Sequence, residues 1–275
     1  MGNDRQVAGT VRTFDHRYAG TTELVAAKAG RRVSVCLPAR DEATTVGPIV
    51  GSIVGSLTAA GGGADLVDEV LVVDDRSHDA TAEVARSAGA RVVRTPSGGG
   101  GKGAAMRVAL EQSDGDLVVF VDADIKNFGP HFVTGLLLPL LLHDDVALVK
   151  GCYDRPLAGR SGEGGRVTEL VAKPVLDLLF PELARVQQPL AGETAAPRAV
   201  LDKVGLTDGY GVEIAVLIDV AEHFGTGSIA QVDLGTRIHR NRPLRQLRPQ
   251  ATDVLRAALR RAGVTGPRSP GTNER

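Results

Sequence analysis

Apolar side chains recur along the first half of the chain in two alternating rhythms. RVSVCLP is a short β-rich run closed by a proline, followed by Val46, Ile49, Val50, Ile53, Val54 and Leu57, apolar at helical spacing. DEVLVVDD predicts a second strand, residues 79–88 a helix, and ARVVR a third strand; after a glycine-rich loop come a helix over 102–112 and the strand DLVVFVD. Residues 130–142 predict another helix and ALVKGCYD a further strand. The rhythm then loosens: GRSGEGG reads as a loop, residues 167–179 and 210–223 as helices, and IAQVDLGTRIH as a late strand. Strands alternating with helices predict an α/β fold, with a mostly parallel sheet covered on both faces. No internal repeat is visible. Residues 1–262 are expected to form one domain, and 263–275, rich in Pro, Gly and charge, a disordered tail.

Composition narrows the class without choosing a function. The chain has 275 residues, 43% hydrophobic and 24% charged, ordinary for a folded globular protein. A net charge of -1 gives no global basic field, so neither nucleic acid nor a membrane surface is an expected partner. Cys36 and Cys152, far apart in apolar surroundings, offer neither a disulfide framework nor zinc-ligand spacing, and a cytoplasmic location is expected. The longest apolar run, FVTGLLLPLLL, is well short of the roughly 20 residues of a membrane span, and the first residues lack the apolar core of a secretory signal.

In open α/β sheets ligands bind beyond the carboxyl ends of the strands. There this chain gathers Arg40, Asp41 and Glu42 after the first strand, Asp74-Asp75-Arg76-Ser77 after the second, Lys102 after the third and Asp122-Ala123-Asp124 after the fourth. The aspartates around Ser77 and Asp79 also suit helix caps. SGGGGKG matches GxGxxG only because it is a glycine tract, and it departs from a P-loop in lacking Ser or Thr after Gly-Lys. Asp122 and Asp124, two apart on a strand, would share one face and repel unless a cation intervenes; a divalent metal suits them, and turn capping is the alternative. RIHRNRPL places Arg237, His239, Arg240 and Arg242 around Asn241, either a solvated basic turn or a phosphate pocket with a histidine able to join a metal shell.

These residues resemble a known family. ELVAAKAGRRVSVCLPARDE, VLVVDDRSHDAT, GKGAAM, VFVDADI, GGRVTELVAKPVL, QPLAGE, DGYGVEIAVLID and RIHRNRPL, in this order over residues 21–247, are similar to the actinobacterial glucosyl-3-phosphoglycerate synthases, nucleotide-sugar transferases of the Rossmann-like GT-A fold. The resemblance implies a nucleotide-sugar half over about residues 31–150 and an acceptor half over about 151–247. It places uridine between Pro38, Ala39, Glu42 and Asp75, with Lys102 approaching the donor. Asp122, Ala123 and Asp124 become the DxD signature, Asp124 with His239 holding Mg2+ or Mn2+ and Asp122 meeting the nucleotide-sugar. Tyr210 and Glu213 would line the sugar, with Arg237 also on the donor side, and Gly165, Arg166, Thr168, Asn241 and Arg242 would hold the carboxylate and phosphate of 3-phosphoglycerate. Asp124, Glu213, Lys102, His239 and Arg242 are the expected catalytic set. The implied reaction moves a hexose from UDP-glucose or another nucleoside diphosphate hexose to the 2-hydroxyl of 3-phosphoglycerate, with retention, in a homodimer.

The chain departs from mycobacterial PALNE and DSGS at Pro38-Ala39-Arg40-Asp41-Glu42 and Asp74-Asp75-Arg76-Ser77, and its DAD is similar to that of mannosyl-donor relatives. A mannosyl donor or another small acidic acceptor therefore remains open. So do an NAD-binding oxidoreductase using the GxGxxG match and a non-catalytic sugar-nucleotide sensor.

Overall fold

The computed structural model describes residues 9–96, 100–156, 164–238 and 243–264. Its strands are β1 (Arg12–Asp15), β2 (Val33–Ala39), β3 (Glu69–Asp74), β4 (Arg91–Arg94), β5 (Leu117–Phe120), β6 (Leu148–Asp154), β7 (Thr194–Pro197) and β8 (Ile229–Thr236). Its helices are α1 (Thr21–Lys28), α2 (Val46–Leu57), α3 (Thr81–Ser87), α4 (Lys102–Gln112), α5 (His131–Leu142), α6 (Lys173–Leu179), α7 (Arg198–Val204), α8 (Val212–Phe224) and α9 (Leu244–Arg261). A π-helical turn, Thr168–Ala172, leads into α6.

The strands form one eight-stranded sheet in the order β1-β8-β6-β7-β5-β2-β3-β4. β2 pairs in parallel with β3 on one side and β5 on the other, which makes its carboxyl end the place where the winding reverses. The period-two alternation of the strands feeds two cores. Val33, Val35, Leu37, Val70, Val72 and Val119 pack with α2 and α5 on one face; Cys36, Leu71, Val73, Val118 and Phe120 pack with α4 and α8 on the other. Each fully buried Val, Leu or Phe contributes about 1.5–3 kcal/mol relative to exposure, so a sheet covered on both faces is stabilised from both.

Five elements are additional to the sequence reading: β1, α1, β7, α7 and α9. β1 is a polar four-residue edge strand whose ladder among the described residues is with β8, 218 positions away along the chain. β7, the run TAAP, lies antiparallel between β5 and β6, so the chain just before it arrives at the edge where the other strands end. α9 carries Pro249 in its interior, which masks the helical signal of Leu247, Val254 and Ala258. The helix expected over 210–223 starts at Val212 and leaves Tyr210 in the preceding turn. Of the expected tail, residues 265–275 lie outside the described residues.

Candidate active site

The carboxyl edge at β2, β3 and β5 opens into a cleft. Every described site residue expected from the sequence lines it: Pro38, Ala39, Glu42, Asp75, Lys102, Asp122, Ala123, Asp124, Gly165, Arg166, Thr168, Tyr210, Glu213 and Arg237. His239, Asn241 and Arg242 lie outside the described residues. The cleft is further lined by Arg40, Arg155 and Leu190, and by Leu247, Gln250 and Val254 of α9.

The acid pair is solved locally by cations. Asp122 Oδ1 receives Lys102 Nζ at 2.5 Å, and Asp122 Oδ2 receives Arg237 Nη2 at 2.7 Å. The same Nη2 reaches Asp124 Oδ1 at 2.8 Å, so one guanidinium bridges the two carboxylates. This corrects the strand argument: β5 ends at Phe120, and Asp122 and Asp124 lie in the turn beyond it, converging through Arg237 rather than through strand alternation. Burial by itself would raise the Asp122 carboxyl, but the charges of Lys102 and Arg237 hold it well below the usual carboxylate range. Lys102, in the first turn of α4, also meets Glu213 Oε1 at 2.7 Å. Burial opposes its charge and the two carboxylates more than restore it, raising its pKa. Glu213 stands in the first turn of α8, where the helix dipole favours an acid.

Behind this pair runs a second layer to which the sequence reading gave no role, although the motif QPLAGE ends on its central residue, Glu193. Glu193 is fully buried and accepts from Arg237 Nε at 3.0 Å and from the Tyr153 hydroxyl at 2.5 Å. Arg155 donates from Nη2 to the Tyr153 oxygen at 2.7 Å and lies over the Tyr153 ring, 4.9 Å from its centroid. Arg155 directly follows the carboxyl end of β6, the kind of position that flagged the other acids and bases, so that rule could have found it. Glu193 precedes β7, and no local signal marks an antiparallel strand whose amino end faces the cleft.

The second-strand aspartates divide between roles. Asp74 Oδ1 accepts from Ser77 N at 3.0 Å and Asp79 Oδ1 from Thr81 N at 3.0 Å, turn and cap bonds of the kind expected. Asp75 instead faces the cleft, accepting from Thr95 Oγ1 at 2.9 Å and Gly101 N at 3.1 Å. Arg40 and Arg76 approach Asp75 at 3.9 and 3.3 Å. Arg76 adopts φ +58, a left-handed conformation that glycine takes without strain.

Hard oxygen donors on Asp122 and Asp124 suit Mg2+ or Mn2+, which keep few protein ligands and complete their shell with phosphate oxygens. Among the described residues no group of three or more acids, histidines or cysteines could hold a metal ion by itself. The two cysteines are buried and unpaired, and burial pushes both thiols up to about 12.

Comparison with known proteins gives a consistent set of likenesses. The glycosyl transferase family 2 profile matches residues 34–156. The glucosyl-3-phosphoglycerate synthase of Mycolicibacterium paratuberculosis is 47% identical over 256 residues, 88% of this chain and 76% of that protein. The Mycobacterium tuberculosis enzyme of the same name, solved with Mn2+, UDP-glucose and phosphoglyceric acid, superposes with a TM-score of 0.83 at 43% identity, covering 94% of this chain and 89% of that one. Its structure with Mg2+ and UDP gives a TM-score of 0.85 at 42% identity, covering 94% and 88%.

Proposed function

Since this chain belongs to the glucosyl-3-phosphoglycerate synthase family, we propose that it transfers glucose from UDP-glucose to the 2-hydroxyl of 3-phosphoglycerate, with retention, using Mg2+ or Mn2+. The observation that carries the reading is the convergence in one cleft of Asp122, Asp124, Lys102, Glu213 and Arg237 with Gly165, Arg166 and Thr168. Donor-side and acceptor-side residues thus share one wall-to-wall space, as direct transfer between two bound substrates requires.

The residues divide the work. Pro38, Ala39, Glu42 and Asp75 hold the nucleoside, Asp122 and Ala123 meet the nucleotide-sugar, and Tyr210 and Glu213 meet the sugar hydroxyls. Asp124 and His239 would hold the metal, which supplies positive charge where the leaving diphosphate gathers negative charge. Lys102 and Arg237 add fixed positive charge to the same region, preorganised by their ion pairs. Arg166, Thr168, Gly165, Asn241 and Arg242 orient the acceptor's carboxylate and phosphate. Asp122 and Glu213 are tied up in ion pairs, which makes each a poor covalent nucleophile. In this reading, which follows the family resemblance, the acceptor oxygen attacks on the face the diphosphate leaves, and its proton passes to a departing phosphate oxygen. The catalytic unit is one domain over 1–262 acting as a homodimer; no described helix is long and apolar enough to cross a membrane.

The test incubates the protein and Mg2+ with UDP-, GDP- and ADP-hexoses, with and without 3-phosphoglycerate, and reads diphosphate release and product mass. The expected result is a glucosyl-3-phosphoglycerate mass with UDP-glucose, reduced about 10²–10³-fold in Asp124→Ala. Diphosphate release that ignores 3-phosphoglycerate for every donor defeats the reading.

A further inference from the structure

Lys150 is a buried cation that the proposed reaction leaves without a role. It sits on β6, 2% exposed, and does not line the cleft. Its hydrogen bond among the described residues runs from Nζ to the Ala191 carbonyl at 2.6 Å, and no described carboxylate lies within ion-pair distance of it. Burying an ammonium on a single carbonyl costs stability, so a fold under selection for stability alone would favour an apolar side chain here.

What the bond holds is the turn before β7. Gly151 N donates to Glu193 O at 2.8 Å and Thr194 Oγ1 to Val149 O at 2.9 Å, so together with Lys150 these bonds lash residues 191–194 to β6. The lashed turn touches both ion-pair systems of the cleft. A Cβ on Gly192 would fall among Asp122 Oδ1 and Lys102 Nζ, closer than any real side chain approaches, so its backbone is seated directly on that pair. The next residue, Glu193, anchors Arg237. Leu190, just before, lines the cleft.

We propose that Lys150 is a positioning residue for glucosyl transfer: it holds the 191–193 turn against the Lys102–Asp122 and Arg237–Glu193 pairs, and so sets where both cations meet the leaving diphosphate. Glu213, Glu193 and Asp122 also feel the Lys150 charge, which balances the acids packed under the donor. The inference rests on the transfer reading above, and its test separates the two.

Wild type, Lys150→Met and Lys150→Arg are compared in transfer, in UDP-glucose hydrolysis without acceptor, in UDP binding with Mn2+ by calorimetry, and in thermal unfolding. Wild-type transfer alone decides the transfer reading; donor hydrolysis still reads Lys150 if the acceptor is another molecule. Lys150→Met is expected to lose about 100-fold in kcat, the scale of a misplaced catalytic group. Its KM for UDP-glucose should stay within about threefold, while its affinity for UDP, which carries the full charge of the leaving group, should fall along with kcat. Its Tm should not fall, and Lys150→Arg, which keeps a donor and a charge, should recover most of the lost kcat. Wild-type kcat in Lys150→Met overturns the proposal. So does a parallel loss of Tm and kcat, or failure of both variants to fold, because each makes the lysine purely structural.

Discussion

At the residue scale, Lys150 and Asp122 show opposite uses of a buried charge. Asp122 keeps its charge because Lys102 and Arg237 face it, whereas burial pushes the Lys150 ammonium down to about 8, only partly offset by Glu213 and its neighbours. Between pH 8 and the ordinary lysine value of 10.5 the unfolded chain binds a proton that the folded chain has released, so stability rises with pH across that window. The shift corresponds to about 3 kcal/mol of cost at pH 7. Urea unfolding should therefore find Lys150→Met gaining on wild type at pH 7 and losing that advantage as pH approaches 10.5. An advantage that does not change with pH would show that the ammonium is not under strain.

At the element scale, the tip of α4 matters more than its length. Gly103 N donates to Gly209 O at 3.0 Å, and a Cβ there would collide with the Thr207 carbonyl, so the helix start docks backbone to backbone on the turn before α8. Lys102 and Glu213 are brought together by this docking. Gly103→Ala should cost about 1–3 kcal/mol in denaturant unfolding and weaken UDP binding. Gly51→Ala, in the middle of α2 where a Cβ meets nothing, should instead add about 1 kcal/mol. β2, β3 and β5 were legible because each is buried on both faces, and α2 because it carries an apolar stripe, patterns that are local. β7 was not, since TAAP gains strand geometry only from β5 and β6, partners far along the chain. α9 was hidden by Pro249, which its packing against α8 tolerates.

At the scale of the whole molecule, acid should act in two stages. His131, half-buried and 4.8 Å from His16 between ring centroids, has its pKa lowered by burial and then by the His16 charge. A histidine lowered in the fold resists protonation, so stability falls as pH drops below its ordinary value of 6.5. Asp122 is lowered too, but as an acid its contribution is complete above the ordinary value of 3.8 and is lost as pH falls through its folded value. Calorimetry from pH 7 to 3 should show a modest early decline in Tm that His131→Phe removes, then a steeper loss below about pH 4. A single loss beginning only below pH 4 in wild type would remove His131 from the account.

The amino-acid sequence by itself determined the α/β class, the order of strands and helices from β2 to β6, and the acids and bases that follow strand ends, because side-chain period and strand-end position are written locally. Only the tertiary structure decided how the acid pair is kept. Arg237 comes to Asp122 and Asp124 from 113 or more positions away, Glu193 holds Arg237 from the amino end of a reversed strand, and Lys150 reaches Ala191 across 41 positions. Two carboxylates in a turn after β5 need cations, and which cations arrive is settled by sheet order and packing, quantities that no stretch of neighbouring residues contains.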